Sequence, residues 1–293
     1  MPHLHVNGTD IHYHTQGHGP AIVMIHPPFL GSRIFNYLRT DLSMDHQVVT
    51  IDVRGHGHSE TGTAPLTIPL VVEDVKQVMD KLGIEQTYVC GYSVGCMPAF
   101  EAMLTHPERF KGGIMLSGAS ELSDKKSRSA MRAASITNRI RAKEAVVVPF
   151  ALNNADSRTT FHVLHKEGMA GMSKSFREYS NACLSYSCTD RLRRVASPVL
   201  LMCGEKDPTY IDYGRMLHDR LAVSDLYILK DCTHHIPTKA PDKCASTIRT
   251  WIAKQEGREA ADTFFDRQGL DRDLLEQGVL TERQADFGNP QGL

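Results

Sequence analysis

The chain has 293 residues, 41% hydrophobic and 23% charged, with seven cysteines. That profile excludes a disordered chain, a collagen and a small disulfide-stapled scaffold, and it fits either two domains or one large α/β domain carrying an insertion. The 33 Lys and Arg against 34 Asp and Glu leave a formal charge of -1, which gives no whole-chain argument for nucleic acid or a lipid surface.

The first residues, MPHLHVNGTD, lack a basic start followed by an apolar core. They read instead as a β-hairpin: HLHV (3–6), a turn at Asn7-Gly8, then IHYHTQG (11–17). AIVMIH (21–26) is an apolar run too short for a helix and ends in His-Pro-Pro, the pattern of a buried strand breaking into a loop. QVVTIDV (47–53) repeats it. Residues 68–83 carry apolar side chains at helical spacing and close on Gly83, and TYVCGY (87–92) follows as a third buried strand.

From there helices and strands alternate: a helix over 94–107, strands at 112–119 and 198–204, a helix near 209–221, a strand at 225–230 and a helix near 240–255. Such alternation predicts an α/β fold with a mostly parallel sheet and helices on both faces. Residues 122–197 lack buried-strand runs and read as a helical cap inserted between late strands. Residues 254–293 form a charged C-terminal extension, with a candidate amphipathic helix at 270–280. The expected division is a core of 1–121 and 198–253, the cap and the extension. No apolar stretch approaches the ~20 residues that cross a bilayer, so the expectation is a soluble cytoplasmic protein. The cysteines sit largely in apolar runs at spacings that match no zinc pattern, and read as buried thiols.

The sharpest chemical signal is Gly91-Tyr92-Ser93-Val94-Gly95, between a strand and a helical run. A serine on such a tight turn is held in a strained conformation with its hydroxyl exposed, flanked by glycines that avoid clashes and followed by a helix N-terminus. A serine hydroxyl needs a base, and the base needs an acid to fix its tautomer. Asp207, in the turn Gly204-Glu205-Lys206-Asp207-Pro208, is the candidate acid, with Glu205 as second choice. The base lies in Cys232-Thr233-His234-His235-Ile236-Pro237: His235 is the first candidate and His234 the alternative.

These motifs, together with His26 at the end of a strand, Asp52-Val53-Arg54-Gly55-His56-Gly57-His58-Ser59, THPERF (105–110) and HHIPTKAP (234–241), resemble those of the α/β-hydrolase fold family over roughly residues 1–253. The resemblance implies Ser93 as nucleophile and Asp207 as acid. Aligning His234 with the glycine of the family's Gly-His-x-Pro motif implies His235 as base. A serine nucleophile sets the chain apart from the dehalogenase and epoxide-hydrolase branches, which attack with Asp. The family's His-Gly turn appears here as His26-Pro27-Pro28-Phe29-Leu30-Gly31; proline has no N–H, so Phe29 is the expected oxyanion donor beside Val94. His26, His56 and His58 read as structural.

The resemblance implies a serine hydrolase cleaving a carboxylic ester, lactone or thioester through an acyl-enzyme, with no metal or organic cofactor. The alternatives are C–C bond hydrolysis, peroxyacid formation and a non-catalytic ligand receptor on the same fold. His3, His5, His12 and His14 raise a separate question, because alternate residues of a hairpin share a face and imidazoles together can bind a transition metal. In the sequence no carboxylate or cysteine completes that set, and exposed hairpin polarity is the plainer reading. Residues 122–197 hold 14 basic and 6 acidic side chains. Either this segment docks on the acidic core or it attracts an anionic small-molecule substrate. Ile136, Ile140, Val146, Val147, Val148, Phe150, Leu152, Met169 and Met172 are its candidates for pocket wall or cap core.

Overall fold

Asn7 and Gly8 both adopt positive φ, the two-residue turn that matches the twist of the flanking strands, and they join β1 (His3–Val6) to β2 (Thr9–Gln16). The computed structural model describes residues 2–139, 142–258 and 279–282. Next come β3 (Ala21–Ile25), α1 (Asn36–Leu42), β4 (Gln47–Ile51), α2 (Ile68–Lys81), β5 (Thr87–Tyr92), α3 (Cys96–Thr105) and β6 (Phe110–Leu116). Four helices follow: α4 (Lys125–Arg139), α5 (Glu144–Asn154), α6 (Arg158–Ala170) and α7 (Ser173–Ser185). The chain then returns to the sheet with β7 (Val199–Gly204), α8 (Pro208–Arg220), β8 (Ser224–Leu229), α9 (Ile236–Lys239), α10 (Pro241–Gln255) and β9 (Val279–Glu282).

The strand order is β1-β2-β4-β3-β5-β6-β7-β8-β9. β3 to β8 run parallel, while the β1-β2 hairpin and β9 add antiparallel edges. All residues of β3, β5 and β7 are buried, as strands covered on both faces must be, which is why they read as unbroken apolar runs. α2 starts on Thr67, whose Oγ1 accepts from the Leu70 amide, and turns Val71, Val75, Val78 and Met79 inward. One apolar cluster fills each side of the sheet.

The topology decides where chemistry gathers. β3 pairs with β4 on one side and β5 on the other, so the order reverses at β3, and the crevice beyond the carboxyl ends of β3 and β5 is the switch point where ligands bind in such sheets. Helices α4 to α7 interrupt the sheet between β6 and β7. The inserted segment is tied to the core by the Met172 amide on the Gly55 carbonyl at 2.8 Å, by the Leu66 amide on Glu178 Oε2 at 3.0 Å and, after α7, by the Arg191 guanidinium on Glu101 at 2.6 Å. All seven cysteines are free thiols, six of them buried. Of the amphipathic helix expected at 270–280, residues 279 and 280 belong instead to β9, and the rest lies outside the described residues. Among the described residues no helix is long and apolar enough to cross a membrane.

Candidate active site

β5 ends at Tyr92, and the chain turns at Ser93 with φ +54, a left-handed conformation that costs a non-glycine residue energy and here lifts its hydroxyl above the sheet. The turn needs its glycines. A methyl group at Gly95 would stand 2.5 Å from the Ile25 carbonyl oxygen, and one at Gly91 2.5 Å from Cys96 Cα. The elbow therefore packs directly against the end of β3, and the amide of Val94 lies beside the loop that leaves β3.

Asp207 follows β7 and His234 follows β8. His234 Nδ1 lies 2.7 Å from Asp207 Oδ2, and its Nε2 lies 3.1 Å from Ser93 Oγ. An ionised carboxylate only accepts, so Nδ1–H donates to Asp207, which leaves the Nε2 lone pair to accept the Ser93 hydroxyl proton. Above the serine is a cavity of about 140 Å³, lined by Pro27, Pro28 and Leu30 from the loop after β3 and by Met131, Phe150 and Asn154 from the inserted helices, among others.

With that geometry, residues 20–161 match the sequence model of a family described as alpha/beta hydrolase fold. The chain has the α/β-hydrolase fold. It is 27% identical over 216 residues to "3-oxoadipate enol-lactonase 2" of Acinetobacter baylyi, covering 67% of this chain and 78% of that protein. The structure of the enol-lactonase from Burkholderia xenovorans LB400 superposes with a TM-score of 0.77 at 21% identity, covering 86% of this chain and all of the other. An esterase from Exiguobacterium antarcticum superposes with a TM-score of 0.78 at 17% identity, covering 85% and 98%. At these identities the structural likeness is one of fold.

The position expected for His235 in this α/β hydrolase has to be corrected, because the structure brings His234, not His235, to Ser93 and Asp207. The cause is backbone pinning. The Lys206 amide donates to the Cys232 carbonyl at 2.8 Å, Ser117 Oγ donates to the His234 carbonyl at 3.0 Å, and a side chain at Gly204 would collide with the backbone of Thr233. Residues 232–234 are thus fixed against the ends of β6 and β7. His235 caps α9, and among the described residues its Nδ1 has only Thr233 Oγ1 at 3.5 Å. Pro237 in the first turn marks where that helix starts, and this signal, read alone, puts His235 at the cap. His235 still lines the cavity, and burial, followed by the neighbouring charge of His234, lowers its pKa to about 4.

Tyr92 and Tyr210 were not expected at the site. The Tyr210 ring lies 4.2 Å from that of His234 and its hydroxyl 3.5 Å from Ser93 Oγ; the Tyr92 ring is 5.5 Å from His234 and its hydroxyl donates to Asn154 Oδ1 at 2.9 Å. Burial pushes both phenols well above their ordinary range, so they act as neutral donors. No motif in the sequence marks Tyr210, since an aromatic residue in the first turn of α8 reads as core, and Tyr92 sits inside the elbow motif at a position that admits any residue.

The loop after β3 is held from two sides. His26 Nε2 accepts from the Val53 amide at 2.9 Å while its Nδ1 donates to the Pro27 carbonyl at 2.8 Å, a structural arrangement within the sheet end. Asp52 Oδ1 accepts from the Ser32 amide at 2.7 Å, and Glu167 of α6 accepts from the Arg33 amide at 3.1 Å. Phe29 adopts φ +75, and its buried ring packs against Phe150 at 4.7 Å and Phe176 at 5.7 Å. Pro28 and Leu30 line the cavity on either side of it. Glu205 receives the Asp231 amide at 2.8 Å, a turn contact away from His234.

Of the expected cap residues, Val146 and Val147 are buried, Phe150 lines the cavity, and Ile136, Leu152 and Met172 are exposed. Ile140 lies outside the described residues. Met131 supplies the methionine at the cavity, which Met169 and Met172 do not.

Proposed function

We propose that this α/β hydrolase cleaves small carboxylic esters or lactones through an acyl-enzyme on Ser93. The observation that carries the reading is the continuous relay from Asp207 through His234 to Ser93, at 2.7 and 3.1 Å, under a small cavity. Ser93 Oγ attacks the substrate carbonyl as His234 Nε2 takes its proton; Asp207 holds the imidazole in the required tautomer and stabilises the imidazolium. The amides of Val94 and Phe29 receive the oxyanion. His234 then returns the proton to the leaving oxygen, and water repeats the sequence to release the acid.

The enol-lactonase relatives support a lactone or enol ester as substrate. A cavity of about 140 Å³ is close to the ~150 Å³ that holds a benzene molecule, so the acyl part is small. Among the described residues its lining carries Asn153 and Asn154 beside Ser93, His234 and His235, and no Lys or Arg, which favours an uncharged acyl chain over the anionic one that the basic cap suggested. Of the cap's basic residues, Arg191 pairs with Glu101 of the core, as the docking reading expects, while Lys143 and Arg128 donate to the Gly171 and Leu122 carbonyls within the cap.

The test is labelling with a fluorophosphonate, followed by peptide mass spectrometry. A stoichiometric adduct on Ser93, absent from Ser93→Ala, is expected. No adduct, or an adduct on another serine, contradicts the reading.

A further inference from the structure

Against the loop that leaves β3, through the Ser32 amide on Asp52, the fold assembles a second group of chemical side chains. His12 lies in the middle of β2, and Asp52 and His58 come from the turn after β4. The hairpin histidines lacked a carboxylate in the sequence; the fold supplies one, together with a further imidazole. One ligand atom from each of His12, Asp52 and His58 lies within 4.8 Å of the others, and His12 and Asp52 are fully buried.

The distances are informative. Asp52 Oδ2 is 2.8 Å from His12 Nδ1 and 3.7 Å from His58 Nδ1. The second separation is too long for a hydrogen bond. Among the described residues no hydrogen-bond partner reaches the buried atom His58 Nδ1, nor His12 Nε2, nor His14 Nε2 on the neighbouring ring, 4.7 Å from His12. Buried polar atoms are normally satisfied, so the orphan His58 Nδ1, 3.7 Å from Asp52 Oδ2, needs a reason. Ligands about 2.0–2.2 Å from a tetrahedral metal stand roughly 3.3–3.5 Å apart, between the two separations found here. We infer that His12, Asp52 and His58 form a binding site for a first-row divalent cation of the zinc type, which fastens the β1-β2 hairpin to the turn after β4.

The surroundings suit a cation. The buried carboxyl of Glu167 stands at the same loop, accepting from the Arg33 amide at 3.1 Å. Arg33 is the opposing charge, near Glu167 at 3.7 Å. Asp52 is held in place by the Ser32 amide on Oδ1 at 2.7 Å and the His58 amide on Oδ2 at 2.9 Å. The His58 side chain is 33% exposed and gives an entry path.

The experiment uses the full chain after chelation and dialysis. Equilibrium dialysis against zinc and titration with cobalt(II) should give one equivalent bound per chain, a d–d absorption of tetrahedral intensity and a raised melting temperature. His58→Gln, with the metal-free fold checked by circular dichroism, should weaken binding at least about 100-fold, and His58→Cys should restore it. His106→Gln is the control and should bind like the parent. Substoichiometric zinc at micromolar concentration, or binding and cobalt spectra unchanged by His58→Gln, would overturn the inference. These readouts are independent of hydrolysis at Ser93.

Discussion

Asp207 Oδ2 stands 2.7 Å from His234 Nδ1, so the carboxylate at the end of β7 fixes which nitrogen of the imidazole after β8 carries the proton. Asp207→Asn replaces an obligate acceptor with a side chain that can also donate, and the imidazole can then turn the wrong nitrogen toward Ser93. The expected loss in kcat is on the order of 10⁴-fold with the fold intact. Steady-state hydrolysis of p-nitrophenyl acetate, with circular dichroism as the check on folding, measures it.

Gly95 lies under the end of β3 with no room for a side chain. In Gly95→Ala the new methyl meets the Ile25 carbonyl oxygen at 2.5 Å, and backbone cannot step aside as a flexible side chain can. A destabilisation on the order of 1–3 kcal/mol is expected from chemical denaturation, together with loss of activity because the elbow shifts. Gly83→Ala meets no atoms within 4 Å and tests backbone strain alone; its φ of +67 predicts a smaller cost, about 1 kcal/mol, with activity retained.

The sheet, the insertion and the elbow were legible in the sequence because each rests on local patterning. β3, β5 and β7 read as unbroken apolar runs, and Gly91-Tyr92-Ser93-Val94-Gly95 between strand and helix carries its own backbone logic. The choice between His234 and His235 was not legible in that way, since adjacent residues in a loop differ only in where distant backbone pins them, here through Ser117, Gly204 and Lys206. Tyr210 and Glu167 were hidden for a related reason. Tyr210 looks like helix core and Glu167 like a solvated helix face, and only the packing of α8 and α6 places them at Ser93 and at the loop after β3. β9 was missed because Val279–Glu282 is short and lies beyond the alternation that marks the other strands.

Arg54 and Asp74 form a buried ion pair, with Arg54 Nε on Asp74 Oδ2 at 2.7 Å and Asn7 Nδ2 on Asp74 Oδ1 at 3.0 Å. Burial raises the Asp74 pKa even against the guanidinium, a sign that desolvation outweighs attraction for this carboxyl. Asp74→Ala leaves the Arg54 charge buried without its counter-ion and should cost about 3–5 kcal/mol in urea unfolding. The double variant Arg54→Met with Asp74→Leu removes both charges and should recover much of that loss.

Several histidines are neutral in the folded protein. Burial first, then nearby positive charge, lowers His235 and His14 to about 4, and burial lowers His56 to about 3. Unfolded histidine titrates near 6.5. Between about 6.5 and 4 the unfolded chain therefore binds more protons than the folded one, so stability present above 6.5 is lost as pH falls through that window. Melting temperatures should be flat above pH 7 and fall steadily below 6.5. His235→Gln removes one of these groups, so its melting temperature should gain on the parent as pH drops from 6.5 to 4; a constant offset would refute the assignment.

The central claim is that His234 serves as the base for Ser93, and the most direct measurement is the pre-steady-state burst of p-nitrophenol in His234→Asn and His235→Asn beside the parent. His234→Asn should lose the burst, with acylation slowed on the order of 10⁴-fold. His235→Asn should keep it within about tenfold, because His235 lines the cavity without touching Ser93 Oγ. A burst retained in His234→Asn and lost in His235→Asn would contradict the account.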